Sequence, residues 1–320
     1  MHAVTGPRRE PVLPDETGML DVGDGNLVYW ETSGDPDGPP LVWVHGGPGM
    51  ATGMRWRRKL SAHGHRVVIF HQRGCGHSTP SAADPATDMS VNTTAHLIAD
   101  MEELRAFLGI QQWVVVGGSW GSTLALAYAQ AHPDRVRAMV LLAVTTTRRR
   151  EIDWLYSGLA RIFPEAAERF RAAVPEATRD DEVLAAYARR VSDVDPQVRL
   201  AATRAWCAWE DAVLAHEAGP PSPFSGEVGE QEVALVRICS HYFSHGAWLP
   251  EGVLIREAGR LAGIPGVLVH GRMDLAGPLE TAWELAKAWP DAELVVLEGS
   301  GHQSTAASNA ELSKALLRFR

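Results

Sequence analysis

An α/β fold, with a mostly parallel central sheet flanked by helices, is predicted by three observations. Short apolar strand-like runs alternate with helical stretches over residues 18–145, the alternation stops over residues 146–256, and it resumes near Gly263. A helical block lying between two parts of one sheet is the pattern of an inserted cap. The expected organisation is therefore an N-terminal arm (1–16), expected to be flexible, an α/β domain built from 17–145 and 257–320, and a helical cap at 146–256.

The elements follow in order. Strands are expected around residues 28–30, 41–44, 67–70, 113–116 and 139–142, and then at 266–270 and 292–297, each a short run rich in Val, Ile, Leu and aromatic residues. Residues 123–129 read as a helix directly after the 113–116 strand. In the middle block, segments 166–173, 182–191 and 198–216 read as helices. No internal repeat or low-complexity tract is evident.

The composition is that of an ordinary globular chain. With 320 residues, 45% hydrophobic and 22% charged, it can bury a sizeable core. A net charge of −9 argues against nucleic acid or an anionic membrane as the main partner. No apolar run approaches the roughly 20 residues of a membrane helix, and residues 1–14 lack a signal-peptide core. A cytoplasmic location is the resulting expectation. Cys75, Cys207 and Cys239 are too few and too dispersed for a disulfide framework, no Cys/His cluster has metal-ligand spacing, and no metal or cofactor is expected. Arg148-Arg149-Arg150 is the conspicuous basic run, expected at a solvated face or a domain junction.

Gly117-Gly118-Ser119-Trp120-Gly121 fits the G-x-S-x-G nucleophile elbow, in which glycines let a serine sit on a sharp strand-to-helix turn. Such a pentapeptide can also be a purely structural turn; its context argues otherwise. The 41–44 strand runs into His45-Gly46-Gly47-Pro48-Gly49, an HGG-type loop that can supply an oxyanion donor. The 266–270 strand leads to Asp274, and the 292–297 strand leads to His302. Ser, Asp, His is the chain order this type of site uses.

The chemistry requires these residue types. A neutral serine is a poor nucleophile, so an imidazole must take its proton and a carboxylate must fix the imidazole tautomer. Ser119, His302 and Asp274 are the candidates. The developing oxyanion would be held by the backbone N–H groups of Gly47 and Trp120, each such donor being worth on the order of 100-fold in rate. Among other histidines, His45 reads as part of the oxyanion loop, and His63 and His65 as solvated loop residues.

Beyond these motifs the chain resembles the proline iminopeptidases, serine peptidases of the α/β-hydrolase fold, from about Thr17 to the C-terminus. The resemblance is carried by Thr17-Gly18-Met19-Leu20-Asp21-Val22-Gly23-Asp24-Gly25, His45 to Gly49, Gln72-Arg73-Gly74-Cys75-Gly76, Gly117 to Ser122, Trp209-Glu210, His241-Tyr242-Phe243 and His270-Gly271-Arg272. It implies release of an N-terminal residue from a small peptide or aminoacyl-amide substrate, with Ser119, Asp274 and His302 as the triad. It further implies a substrate pocket involving Glu210, Trp209, Tyr242 and Phe243, in which Glu210 binds the substrate's free amine. Cys239 stands where the family has a second amine-binding glutamate, and Thr145 where it often has an aromatic residue. His71 replaces an aspartate, and His77 and Gln303 also depart from the family pattern. The expectation is a serine aminopeptidase or amidohydrolase with specificity altered from prolyl peptides, possible substrates including a biosynthetic aminoacyl amide. An esterase or thioesterase is the alternative within hydrolysis; a binding protein or cyclase on the same fold is the alternative outside it.

Overall fold

The computed structural model describes residues 13–217, 224 and 226–320. Eight strands form one sheet: β1 (Glu16–Asp21), β2 (Leu27–Gly34), β3 (Pro40–Val44), β4 (Arg66–Phe70), β5 (Trp113–Gly118), β6 (Val136–Leu142), β7 (Gly266–Gly271) and β8 (Ala292–Leu297). Their order is β1-β2-β4-β3-β5-β6-β7-β8; the pairs β1–β2 and β2–β4 are antiparallel and the remainder parallel. The helices are α1 (Met54–Ser61), α2 (Thr94–Phe107), α3 (Trp120–Ala131), α4 (Arg149–Tyr156), α5 (Pro164–Ala172), α6 (Val183–Arg190), α7 (Pro196–Leu214), α8 (Glu230–Ser244), α9 (Val253–Arg256), α10 (Leu279–Ala288) and α11 (Ala306–Arg318).

Every strand expected from the sequence is present, and the chain is mostly parallel as predicted. The central strands read as continuous apolar runs because helices cover both faces. Alternate residues of β3, β4 and β5 serve opposite cores: Val42, Val68 and Val115 pack with α2 and α3, whereas Leu41, Val67 and Val114 pack with Leu60 of α1 and Leu312 and Leu316 of α11. β1, which has no expected counterpart, is an edge strand with mostly exposed positions. It begins at Glu16, the last residue of the expected N-terminal arm; residues 1–12 of that arm lie outside the described residues.

Between β6 and β7 the described residues contain helices and no strand. They have a core of their own, in which Tyr156, Phe170, Tyr187, Trp206 and Trp209 pack together. The basic run marks the junction of this block with the sheet domain. Arg148 is buried and bonds Glu151, Thr281 and Glu284, the last two on α10. His65, expected in solvent, is fully buried: it directly precedes β4, an interior strand, and its carbonyl accepts from Asp35 N–H at 3.0 Å. No helix among the described residues is long and apolar enough to cross a membrane.

Candidate active site

The site gathers at the C-terminal ends of adjacent parallel strands. Ser119 ends β5 and begins α3 with φ 55° and ψ −128°, a backbone conformation costly for a residue with a Cβ. The neighbouring glycines make that turn possible: a Cβ on Gly117 would meet the Gly121 carbonyl, and one on Gly121 would meet the Val44 carbonyl of β3. The serine is thus pushed up from the sheet. His302, from the loop after β8, places Nε2 3.0 Å from Ser119 Oγ. Its Nδ1 lies 2.8 and 3.0 Å from the two oxygens of Asp274, from the loop after β7.

A carboxylate can only accept, so His302 carries its proton on Nδ1 and leaves Nε2 free to accept from Ser119. Burial alone would raise the Asp274 carboxyl; the adjacent imidazole and a 2.7 Å bond from Gly277 N–H overcome it and hold the group below its ordinary value. Burial would likewise lower His302, but the Asp274 charge outweighs it and raises the imidazole above its ordinary 6.5. His270 braces the Asp274 loop. Its Nδ1 accepts from Val144 N–H at 2.9 Å and its Nε2–H donates to Gly277 O at 2.7 Å. This pair of bonds fits a neutral ring, and burial lowers its affinity for a second proton.

The HGG loop is anchored by a residue that the sequence shows only as part of a motif. Gln72 donates from Nε2 to His45 O at 2.9 Å and accepts from the Trp120 indole N–H at 3.0 Å, and its backbone N–H donates to His45 Nε2 at 3.0 Å. It joins the loop carrying Gly47 to the residue after Ser119. His45 is held neutral by burial, its pKa lowered to about 3. His71 is similarly structural: its Nδ1 accepts from His77 N–H, Nε2 faces Thr52 O at 3.3 Å, and burial lowers its pKa to about 4.

Ser119 and His302 open into a cavity of about 390 Å³ between the sheet and the helical block. Gly47, Trp120, Glu210, Cys239, Phe243 and Thr145, all singled out from the sequence, line it. Glu210, on α7, is buried and accepts a 2.6 Å bond from Tyr156 on α4, a cavity residue with no signal in the sequence. Desolvation raises the Glu210 carboxyl despite that bond. The other acidic wall residue, Glu151, is engaged by Arg148 and by Thr146 and Thr147. Cys239 donates its thiol to Pro48 O at 3.2 Å, and burial keeps it protonated. Thr145 bonds the Ser119 carbonyl at 3.0 Å through its hydroxyl.

Two expected pocket residues stand elsewhere. Trp209 is buried in the cap core against Phe170, because one step along a helix turns a side chain about 100° away from Glu210. Tyr242 is buried behind the site, edge-on to Trp120 at 4.9 Å, with its hydroxyl bonded to Asn92. Among the described residues, no group of three or more His, Cys, Asp or Glu side chains is placed to hold a metal ion.

Comparison with known proteins agrees with this architecture. The α/β-hydrolase-fold family matches residues 39–304. A probable proline iminopeptidase of Streptomyces coelicolor is 46% identical over 96% of this chain and 96% of its own. A proline iminopeptidase of Xylella fastidiosa is 43% identical over 94% and 95%, and one of Arabidopsis thaliana 41% identical over 92% of this chain and 77% of its own. The crystal structure of a Mycobacterium smegmatis proline iminopeptidase matches in fold with a TM-score of 0.61 at 19% identity, over 95% and 98% of the two chains. Identity of this extent over nearly the whole chain makes the protein a serine hydrolase of the proline iminopeptidase family.

Proposed function

We propose that the protein removes an N-terminal aminoacyl residue from small peptides or aminoacyl amides through an acyl-enzyme, with specificity shifted away from prolyl peptides. The observation that carries this is the hydrogen-bonded series Asp274–His302–Ser119 opening into a cavity whose wall holds the buried carboxylate of Glu210. Ser119 Oγ attacks the carbonyl carbon as His302 Nε2 takes its proton, and the oxyanion forms against the backbone N–H groups of Trp120 and Gly47. His302 then gives that proton to the departing amine as the C–N bond breaks. Water, deprotonated by His302, attacks the acyl carbon; as the bond to Ser119 Oγ breaks, His302 returns that proton to the serine and the amino acid leaves.

Glu210 supplies selectivity for a free amino end, since a hydrogen bond between charged partners is worth about 1.5–3 kcal/mol and a blocked terminus cannot form it. The neutral Cys239 thiol, bonded to Pro48 O, supplies no second charge for that ammonium. Thr145 leaves open the space an aromatic side chain would occupy. Together these support a retuned pocket. Prolyl and alanyl arylamides, their N-blocked counterparts and simple esters distinguish the readings: turnover of free-amine arylamides supports the proposal, and turnover of blocked or ester substrates alone makes the protein an esterase. Cys239→Glu is expected to raise prolyl kcat/KM about 10-fold by restoring a charged partner; an unchanged or lower value counts against the assignment of position 239.

The rate should also depend on pH in a diagnostic way. Proton transfer needs neutral His302, whose pKa is raised to about 9, so kcat/KM for an ester climbs through an acid limb in the alkaline range. For a free-amine substrate the profile becomes a low, narrow bell, because the ammonium that Glu210 binds is lost as pH passes roughly 8, before His302 is fully neutral. A common profile for both substrates would remove the case for amine recognition.

A further inference from the structure

Seven residues beyond Glu210, just past the end of α7, Glu217 lies against the loop that carries His302. Its oxygens are divided between successive backbone donors: Oε1 accepts from His302 N–H at 2.7 Å and Oε2 from Gln303 N–H at 2.7 Å. The carboxylate sits directly on Gly301, where a Cβ would collide with Glu217 Cδ. The preceding residue touches the other arm of the site, His216 Nε2 lying 3.4 Å from Met273 O. One end of one cap helix therefore meets both loops that bear the imidazole and its carboxylate partner. Hydrogen bonds to an ionised acceptor are roughly twice as strong as neutral ones. Here they fix the backbone of a ring that must stay within bonding distance of Ser119 and Asp274 at once, where a misplacement of about 1 Å costs on the order of 100-fold.

We propose that Glu217 is a positioning residue for the reaction. It clamps residues 301–303 to the cap and so holds the His302 ring in line between Asp274 and Ser119. The helix that presents Glu210 to the substrate's amine thereby also aligns the general base. The proposal rests on Ser119 and His302 being nucleophile and base, and Glu217 itself touches no substrate.

The charged and titratable groups facing His302 are Asp274 from the β7 loop, with His270 behind it, and Glu217 and Glu210 from the cap. All three carboxylates favour the imidazolium. Removing the charge of Glu217 therefore lowers the pH at which His302 becomes a base, while Asp274 and Glu210 retain the rest of the effect.

The test is the rate at which a fluorophosphonate probe labels Ser119 across pH, in the full chain, for the native protein, Glu217→Gln and Gly301→Ala. The probe has no amine, so it reports nucleophile and base irrespective of substrate. Glu217→Gln is expected to lower the plateau rate about 10- to 100-fold and to move the acid-limb midpoint down by up to about one pH unit. Gly301→Ala keeps the charge but swings the carboxylate off the two N–H groups, so it should lose rate with a smaller midpoint shift; it also decides the matter if Glu217→Gln does not fold. Native labelling with both variants at the native rate and midpoint overturns the role of Glu217 alone. Rate lost only in proportion to folded protein, with the midpoint unmoved, reduces Glu217 to a structural residue and overturns it too. Absence of labelling in the native protein removes the hydrolase reading beneath it.

Discussion

Ser119→Ala is expected to lower kcat for aminoacyl arylamides on the order of 10⁶-fold, leaving a residual rate from the oxyanion donors and substrate binding. The expected size follows from the series of contacts. His302 Nε2 lies 3.0 Å from Ser119 Oγ, and both oxygens of Asp274 lie within 3.0 Å of the other ring nitrogen and orient it. The variant should fold normally, since alanine meets the same φ of 55° that serine already tolerates. Thermal midpoint, arylamide turnover and fluorophosphonate labelling measure the three parts. Persistent labelling or near-native turnover would mean that another side chain is the nucleophile.

Glu210→Gln is expected to cut kcat/KM for free-amine substrates about 10- to 100-fold, with little change for N-blocked esters. It should also make the ligand-free protein more stable. A buried carboxylate whose partner is a tyrosine hydroxyl carries a desolvation penalty, and its pKa in the folded chain is raised accordingly. Because the native state then holds its proton to higher pH than the unfolded chain does, stability falls as pH rises from the unfolded value to the raised folded value and stays at the lower level above it. Replacing the charge removes roughly 1–3 kcal/mol of that cost and raises the thermal midpoint by several degrees. Lower selectivity combined with higher stability is the signature of a group kept for ligand binding. A parallel loss of both would make Glu210 an ordinary structural residue.

What the sequence makes legible follows from how each contact is encoded. Strands buried on both faces announce themselves as apolar runs, and the positions after β3, β5, β7 and β8 bring Gly47, Ser119, Asp274 and His302 within reach of one another. β1 carries no such signal, because its side chains alternate toward solvent. The cap is harder to read, since which face of each helix meets the cavity depends on packing. Thus Trp209 and Tyr242, neighbours in sequence of wall residues, turn into the cap core and toward Trp120. Tyr156 and Glu217 reach the site across 54 and 85 residues of chain, and nothing local to either marks the partner.

The helical block leaves the sheet after β6 and returns to it at β7, and those strands are hydrogen-bonded neighbours, with Leu142 beside Val269. Because the strands are parallel, the block leaves from one end of β6 and returns at the opposite end of β7, where Gly266 pairs with Met139, and the sheet holds both junctions in place. Such an insertion is a cassette: its sequence can diverge, or be exchanged between relatives, without re-registering a single strand, and Cys239 is the kind of change this freedom permits. The freedom has one boundary. A transplanted cap must still deliver a carboxylate to the N–H groups of residues 302 and 303, so substrate preference can drift quickly while the cap's grip on the sheet domain is constrained to change slowly.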